Sequence, residues 1–193
     1  IEQTVKEWRF SPPLKSGNSV SGVTYLHLGA CAVAQADGGL NLSVDYKGNG
    51  PGAINLNKTF PHYPVDAVKS GVSADLVAVY TVGTDGLATL EEIKDVTKGA
   101  GRSRTRLFRA TIQDWVSKLR FKPEELAGQP VATRMETPVQ FELDSSDSAH
   151  ALQKTLMEKS RMTPECIAAM EKKMEPGFGT LAIDSPFAML DQK

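Results

Sequence analysis

From Val131 to Leu143 the residues fall into two alternating sets, and a side-chain period of two marks a strand with one buried face. Val131, Thr133, Met135, Thr137, Val139, Phe141 and Leu143 point one way, and Ala132, Arg134, Glu136, Pro138, Gln140 and Glu142 point the other. A strand of this kind needs a sheet to pair with and a layer to cover its apolar side. Pro138 narrows its place further. Proline has no N–H to give to a ladder, so the spacing predicts that 131–143 lies at a sheet edge.

The segment before it supplies the partners. Leu76-Val77-Ala78-Val79-Tyr80-Thr81-Val82 is β-branched and aromatic and reads as a strand. Gly83-Thr84-Asp85-Gly86 offers residues that tolerate positive φ, and Leu87 to Val96 resumes as a second strand. Glu91-Glu92 breaks its alternation, which predicts a bulge. Phe108, Ile112, Trp115 and Leu119 then recur at helical spacing and form one apolar stripe. The helix should stop near Arg120-Phe121-Lys122-Pro123, because the residue before proline avoids the helical region.

An internal repeat precedes this unit. Arg9-Phe10-Ser11-Pro12, Gly17 and Val20 match Arg120-Phe121-Lys122-Pro123, Gly128 and Val131 at one offset, since 120 − 9 and 131 − 20 both equal 111. Ile1, Val5 and Trp8 fall where Ile112, Val116 and Leu119 fall, so the chain is expected to open with a helix and the last strands of a partial second copy over 1–50. Leu40-Asn41-Leu42-Ser43-Val44-Asp45-Tyr46 alternates and should pair with the strand around Val23 to Val33. The glycine-rich stretch from Lys47 to Gly52 reads as a breaker, and 51–60 as the linker to a unit spanning 61–144. Beyond it, 145–193 is expected to be a helical extension. Thr163-Pro164-Glu165 makes a good helix start, and Leu181 to Leu190 is apolar enough to pack on the body.

Composition excludes several functions. A formal net charge of −1, with 22 basic and 23 acidic residues, offers no field for nucleic acid. No stretch approaches the ~20 apolar residues that span a bilayer. No basic-then-apolar leader opens at Ile1, so a signal or anchor removed ahead of it and a fragment of a longer protein both stay open. His27, His62 and His150 are isolated, so no metal site is expected. Cys31 and Cys166 have two readings. In an oxidising compartment they could close a loop of about 135 residues, worth a few kcal/mol in the chain-entropy model. Otherwise they are small core residues. Lys98-Gly99-Ala100-Gly101-Arg102 lacks the pattern of a phosphate loop. No Ser, His and Asp spacing points to nucleophilic catalysis, and no cofactor is expected. The chain reads as a non-enzyme.

Tyr63-Pro64, the Ala67-Val68-Lys69-Ser70-Gly71-Val72 helix, the Asp85-Gly86 hairpin, the helix ending Leu119-Arg120-Phe121-Lys122-Pro123, Gly128-Gln129-Pro130-Val131 and Pro138-Val139-Gln140-Phe141 follow one another. That ordered set resembles the C-terminal domain of TonB-type energy transducers of Gram-negative bacteria. It departs at Ala74, where the family usually has a glycine, and in lacking an acidic residue in Leu107-Phe108-Arg109-Ala110. The resemblance implies an α+β fold, a small three-stranded antiparallel sheet packed against two helices. It implies a periplasmic module whose partner is an extended peptide, such as the TonB box of an outer-membrane receptor, added at the last strand.

The residues so implied are Val131, Thr133, Met135, Thr137, Val139, Gln140, Phe141 and Glu142, with Tyr63 and Pro64 near the receptor. Strand addition at an exposed edge is independently a general recognition mode. The alternative is a structural or assembly role, in which the repeats pack together or the protein forms a homodimer.

Overall fold

The computed structural model describes residues 5–6, 8–34, 39–56, 59–97, 104–143 and 180–191. Fifteen short or long strands and two helices run through them. The first half holds β1 (Arg9–Phe10), β2 (Leu14–Lys15), β3 (Asn18–Ser19), β4 (Gly22–Val23), β5 (Tyr25–Ala34), β6 (Leu40–Gly50) and β7 (Gly52–Ala53). Then come helix α1 (Val65–Lys69), β8 (Ala74–Val82), β9 (Ala88–Asp95), helix α2 (Thr105–Lys118), β10 (Phe121–Lys122), β11 (Glu124–Leu126), β12 (Gln129–Val131) and β13 (Thr133–Phe141). The tail supplies β14 (Leu181–Ala182) and β15 (Met189–Asp191).

The central sheet is antiparallel, in the order β14-β13-β8-β9. Its heart is the predicted hairpin. The register shifts between Val79 and Tyr80, which face Glu92 and Leu90, so Glu91 is the extra residue of a bulge. The turn needs Gly86 twice over. Its φ is +78°, and a Cβ there would stand 2.2 Å from the Phe121 carbonyl oxygen. Asp85 Oδ1 accepts from the Leu87 N–H, closing the turn from the side-chain side.

Helix α2 forms on an apolar stripe whose burial outweighs its several β-branched and aromatic residues, and it stops at Lys118, ahead of Pro123. Its N-terminal residue Arg104 has no side-chain cap, and the Arg104 N–H instead donates to Asp95 Oδ2 at 2.8 Å. Phe108, Ile112, Trp115, Val116 and Leu119 are buried against Leu76, Ala78, Tyr80 and Val82 of β8 and Met135, Val139 and Phe141 of β13. Burial pushes the Tyr80 phenol up to about 12, and the Thr137 hydroxyl is its hydrogen-bond partner. All members of this core lie between Ala67 and Phe141.

The first half is built differently. β5 and β6 form a long hairpin with a register shift at His27/Leu28. β2 and β3 turn through Ser16 and Gly17, at φ 54° and 81°. β11 and β12 turn through Ala127 and Gly128, at φ 51° and 73°, the same offset of 111 later (127 − 16). Positive φ at both central residues is the geometry of a type I′ hairpin. Strands then join the first half to the second and to the tail. β7 of the first pairs with β10 of the second, and the tail strand β15 pairs with β1. β4 extends the β11–β12 hairpin.

Four expectations change. The alternating segment is interrupted at Ala132, because Val131 belongs to the β11–β12 hairpin. Strand β13 is not a bare edge, since β14 pairs with it at Met135 and Glu136. The stretch 51–60 is no free linker. The Ile54 N–H donates to the Arg120 carbonyl, Asn55 bonds both Lys118 and Arg120, and Trp115 Nε1 donates to the Thr59 carbonyl. The described part of the tail is extended, not helical. The helices expected at 145–179 lie outside the described residues, as do Ile1 and Cys166. Cys31 sits in β5 opposite Ser43, and its side chain is likewise outside them.

Candidate functional site

The site is read from the backbone of β13, because its side chains are largely committed. Thr133, Met135, Thr137, Val139 and Phe141 are all buried. Val131 is half-buried in β12, Leu143 lies exposed past the strand end, and Glu142 is exposed. The Arg134 carbonyl accepts from the Ile183 N–H at 2.8 Å, and the Arg134 N–H donates to Asp184 Oδ1 at 2.6 Å. Arg134 therefore turns its backbone groups away from β8. The pairing of β13 with β8 runs from Thr133 to Phe141 without a register shift, so Glu136, Pro138 and Gln140 turn outward as well.

Pro138 thus has its missing donor on the outer margin, where no β8 ladder bond is lost. Past β14, the outward groups are the Pro138 carbonyl and the N–H and carbonyl of Gln140. Among the described residues no strand pairs with 137–141 on that side. The sequence-derived list of site residues therefore divides. Gln140 presents backbone outward. Thr133, Met135, Thr137, Val139 and Phe141 give their backbone to β8 and their side chains to the core.

Tyr63 is brought to the end of this strand. Its ring packs edge-on against Phe141 at 5.4 Å and Phe108 at 5.9 Å, and its hydroxyl donates to the Val72 carbonyl at 2.8 Å. Burial raises the phenol's pKa, partly countered by Ser73. Tyr63 is thus an anchor of the segment leading into α1, and Pro64 caps that helix.

The sheet's wet face carries a ladder of charge. Arg134 Nε donates to Glu91 Oε2 at 2.9 Å, and Thr81 donates to the other oxygen of the same carboxylate. The Thr81 hydroxyl first, with the hydrogen bond and charge of Arg134 adding to it, holds Glu91 below its ordinary pKa, and burial is the opposing effect, second in size to Thr81. Lys94 pairs with Glu136. These exposed pairs set register more than stability.

A second cluster sits where the two halves and the tail meet. Glu124 is fully buried. Its Oε1 accepts from Thr24 at 2.6 Å and Ser185 at 2.7 Å, and its Oε2 accepts from Thr133 at 2.8 Å. Asn49 Nδ2 donates to Ser185 Oγ at 2.8 Å and to the Phe187 carbonyl at 3.2 Å, while Tyr46 donates to Asn49 Oδ1. His27 lies nearby with Nε2 buried and without a partner among the described residues. Burial lowers its pKa, opposed by the Glu124 charge and the Pro51 carbonyl. No sequence signal marks this cluster, because its members are scattered from Thr24 to Phe187. Among the described residues there is no group of His, Cys, Asp and Glu fit to hold a metal, and no helix is long and apolar enough to cross a membrane.

Comparison with known proteins supplies the remaining observation. Residues 59–143 match the family model described as the Gram-negative bacterial TonB protein C-terminal. One similar solved structure is the solution NMR structure of the Pseudomonas aeruginosa TonB CTD, at 19% identity and a TM-score of 0.36. The match covers 50% of this chain and 90% of that one. No curated protein sequence matches the chain.

Proposed function

We propose that this protein, whose residues 59–143 form a TonB C-terminal-like domain, is a periplasmic interaction module that takes an extended peptide onto the outer margin of β13. A short box from an outer-membrane receptor is the partner that the family suggests. The observation carrying the reading is the direction of the backbone: Pro138 and Gln140 face outward, and among the described residues nothing pairs with 137–141 there. Unpaired strand groups at a sheet margin are a template for another strand.

At the offset of 111, residues 137–141 correspond to 26–30 of β5, and there β6 lies antiparallel along the full length. We read 1–50 as a partial copy of the later unit.

The test is Gln140→Pro. With Pro138 already lacking a donor, Gln140 supplies the last outward N–H of 137–141, and the substitution removes it while sparing the bonds to β8. Titration with N-terminal peptides of receptors from the same organism, followed by chemical shifts, should show changes at 137–141 in the native protein and none in the variant. Equal affinity for both would place the binding surface elsewhere.

One observation favours an assembly role instead. Strands of the first half pair with the second, β7 with β10 and β4 with β11, and the tail strand β15 pairs with β1. If peptides leave the shifts unmoved and the mass rises with concentration, that reading replaces the first.

A further inference from the structure

The tail strand β14 stands on the same margin that the proposed guest would use. It covers Met135 and Glu136 only, in antiparallel register with Ala182 and Leu181. Thr180 continues the line, its hydroxyl 2.9 Å from that of Thr137. On the far side, Ile183 N–H reaches the Arg134 carbonyl, while the Arg134 N–H is satisfied by a side chain, Asp184 Oδ1.

The tail is held unevenly along its length. At 185–191 the grip is deep. Ser185 bonds buried Glu124, and the Phe187 carbonyl takes Asn49 Nδ2. The Phe187 side chain is buried, over Gly22, where a Cβ would meet its ring at 2.5 Å. Ser11 bonds Ala188 through both its N–H and its hydroxyl, and β15 pairs with β1. At 181–184 the grip is shallow. Leu181 and Ile183 are 50% and 45% exposed and the pairing is two residues long, so Ala182, which packs against the core beside Gly50, is the one inward contact of the strand. A stretch with little buried apolar area and few backbone bonds opens at low free energy without unfolding its neighbours.

Resting on the docking proposal above, we infer that residues 180–184 are a resident strand that competes with the guest for the β13 margin, hinged on an anchor at 185–191. A guest longer than the stretch 137–141 must peel this strand back to reach the outward backbone groups of Glu136 and Arg134. The tail thereby sets the affinity of the module, because a site that is open only part of the time binds more weakly by that fraction. A strand closed about nine-tenths of the time would weaken binding about tenfold.

The experiment uses the full chain in three forms: native, Ile183→Pro, which removes the donor to Arg134, and Asp184→Ala, which removes the acceptor and spares the backbone. The probe is a fluorescein-labelled peptide of eight alternating valine and threonine residues flanked by lysines, read by anisotropy. Binding should tighten about tenfold in Ile183→Pro and by a smaller factor in Asp184→Ala. Equal affinity in all three overturns the competing strand and leaves the docking edge standing. No binding in any of them overturns both. Hydrogen exchange on the native protein gives an independent reading. The Leu181 and Ile183 amides should exchange at least about a hundred times faster than that of Phe187. Equal protection would make 180–191 one rigid strap and overturn the inference without reference to any peptide.

Discussion

Residues 9–34 and 120–143 run through the same series of short strands and the same type I′ turn, yet equivalent positions are buried to different depths. Val139 is 7% exposed and its counterpart Leu28 is 37% exposed; Met135 is fully buried and its counterpart Thr24 is half-buried. Beneath the later segment stand α1 and α2, and among the described residues the main cluster of buried hydrophobic side chains runs from Ala67 to Phe141. The earlier segment keeps its place through polar bonds to Glu124, the Trp8 and Phe10 rings against Tyr46, and exchanged strands. Turn geometry is a local matter that a few residues settle, whereas burial depends on what else the chain brings to that face. The later half should therefore stand without the earlier one, and not the reverse.

Breaking the core is the severest way to test that dependence. Phe108→Ala should cost ~3–5 kcal/mol, the usual price of truncating a buried phenylalanine, and chemical denaturation should show both halves lost together. Trp8→Ala should leave slow amide exchange in β8 untouched. Loss of β8 protection in that variant would mean that the first half helps to hold the core, and the comparison would fail.

Glu124→Gln comes next. It removes the charge that three hydroxyls serve and places an amide donor against one of them, at a cost of about 1–3 kcal/mol. The loss should appear first as faster exchange in β4, β5 and β15, with β8 and β9 spared. Uniform loss would show the cluster to be part of the main core.

The two turns can be compared directly. Gly17→Ala and Gly128→Ala meet no atom within 4 Å, so each pays only for positive φ, about 1 kcal/mol. Equal costs in thermal denaturation would sharpen the equivalence of the turns, and a cost at one alone would break it.

The gentlest probe is pH. The His27 pKa is lowered in the folded protein from 6.5, so the unfolded chain binds its proton first as pH falls. The stability it contributes is intact above 6.5 and lost as pH drops toward the folded value. His27→Gln should flatten that part of the stability curve, and an unchanged curve would show that the imidazole binds its proton equally in both states.

Several elements were legible in the residues alone. The apolar stripe of α2 is buried where its spacing put it, Glu91 forms the bulge that the doubled glutamates imply, and Trp8 is buried as expected. The candidate site was legible in part. Pro138 pointed to a margin, but a two-state pattern of polar and apolar side chains does not say which strand lies on either side. The tail strand escaped notice because two paired residues, Leu181 and Ala182, carry no periodicity.

Periods of two and 3.6, turn glycines and the proline that a ladder cannot use act over a few neighbouring residues, so they marked the β8–β9 hairpin, strand β13 and helix α2 from the order of residues alone. Which strands meet, that Glu124 gathers Thr24, Thr133 and Ser185, and that residues 181–184 stand on β13 were decided only in three dimensions. Those contacts join positions up to 182 apart (191 − 9), as Arg9 and Asp191 are, and no local preference encodes a partner at that distance.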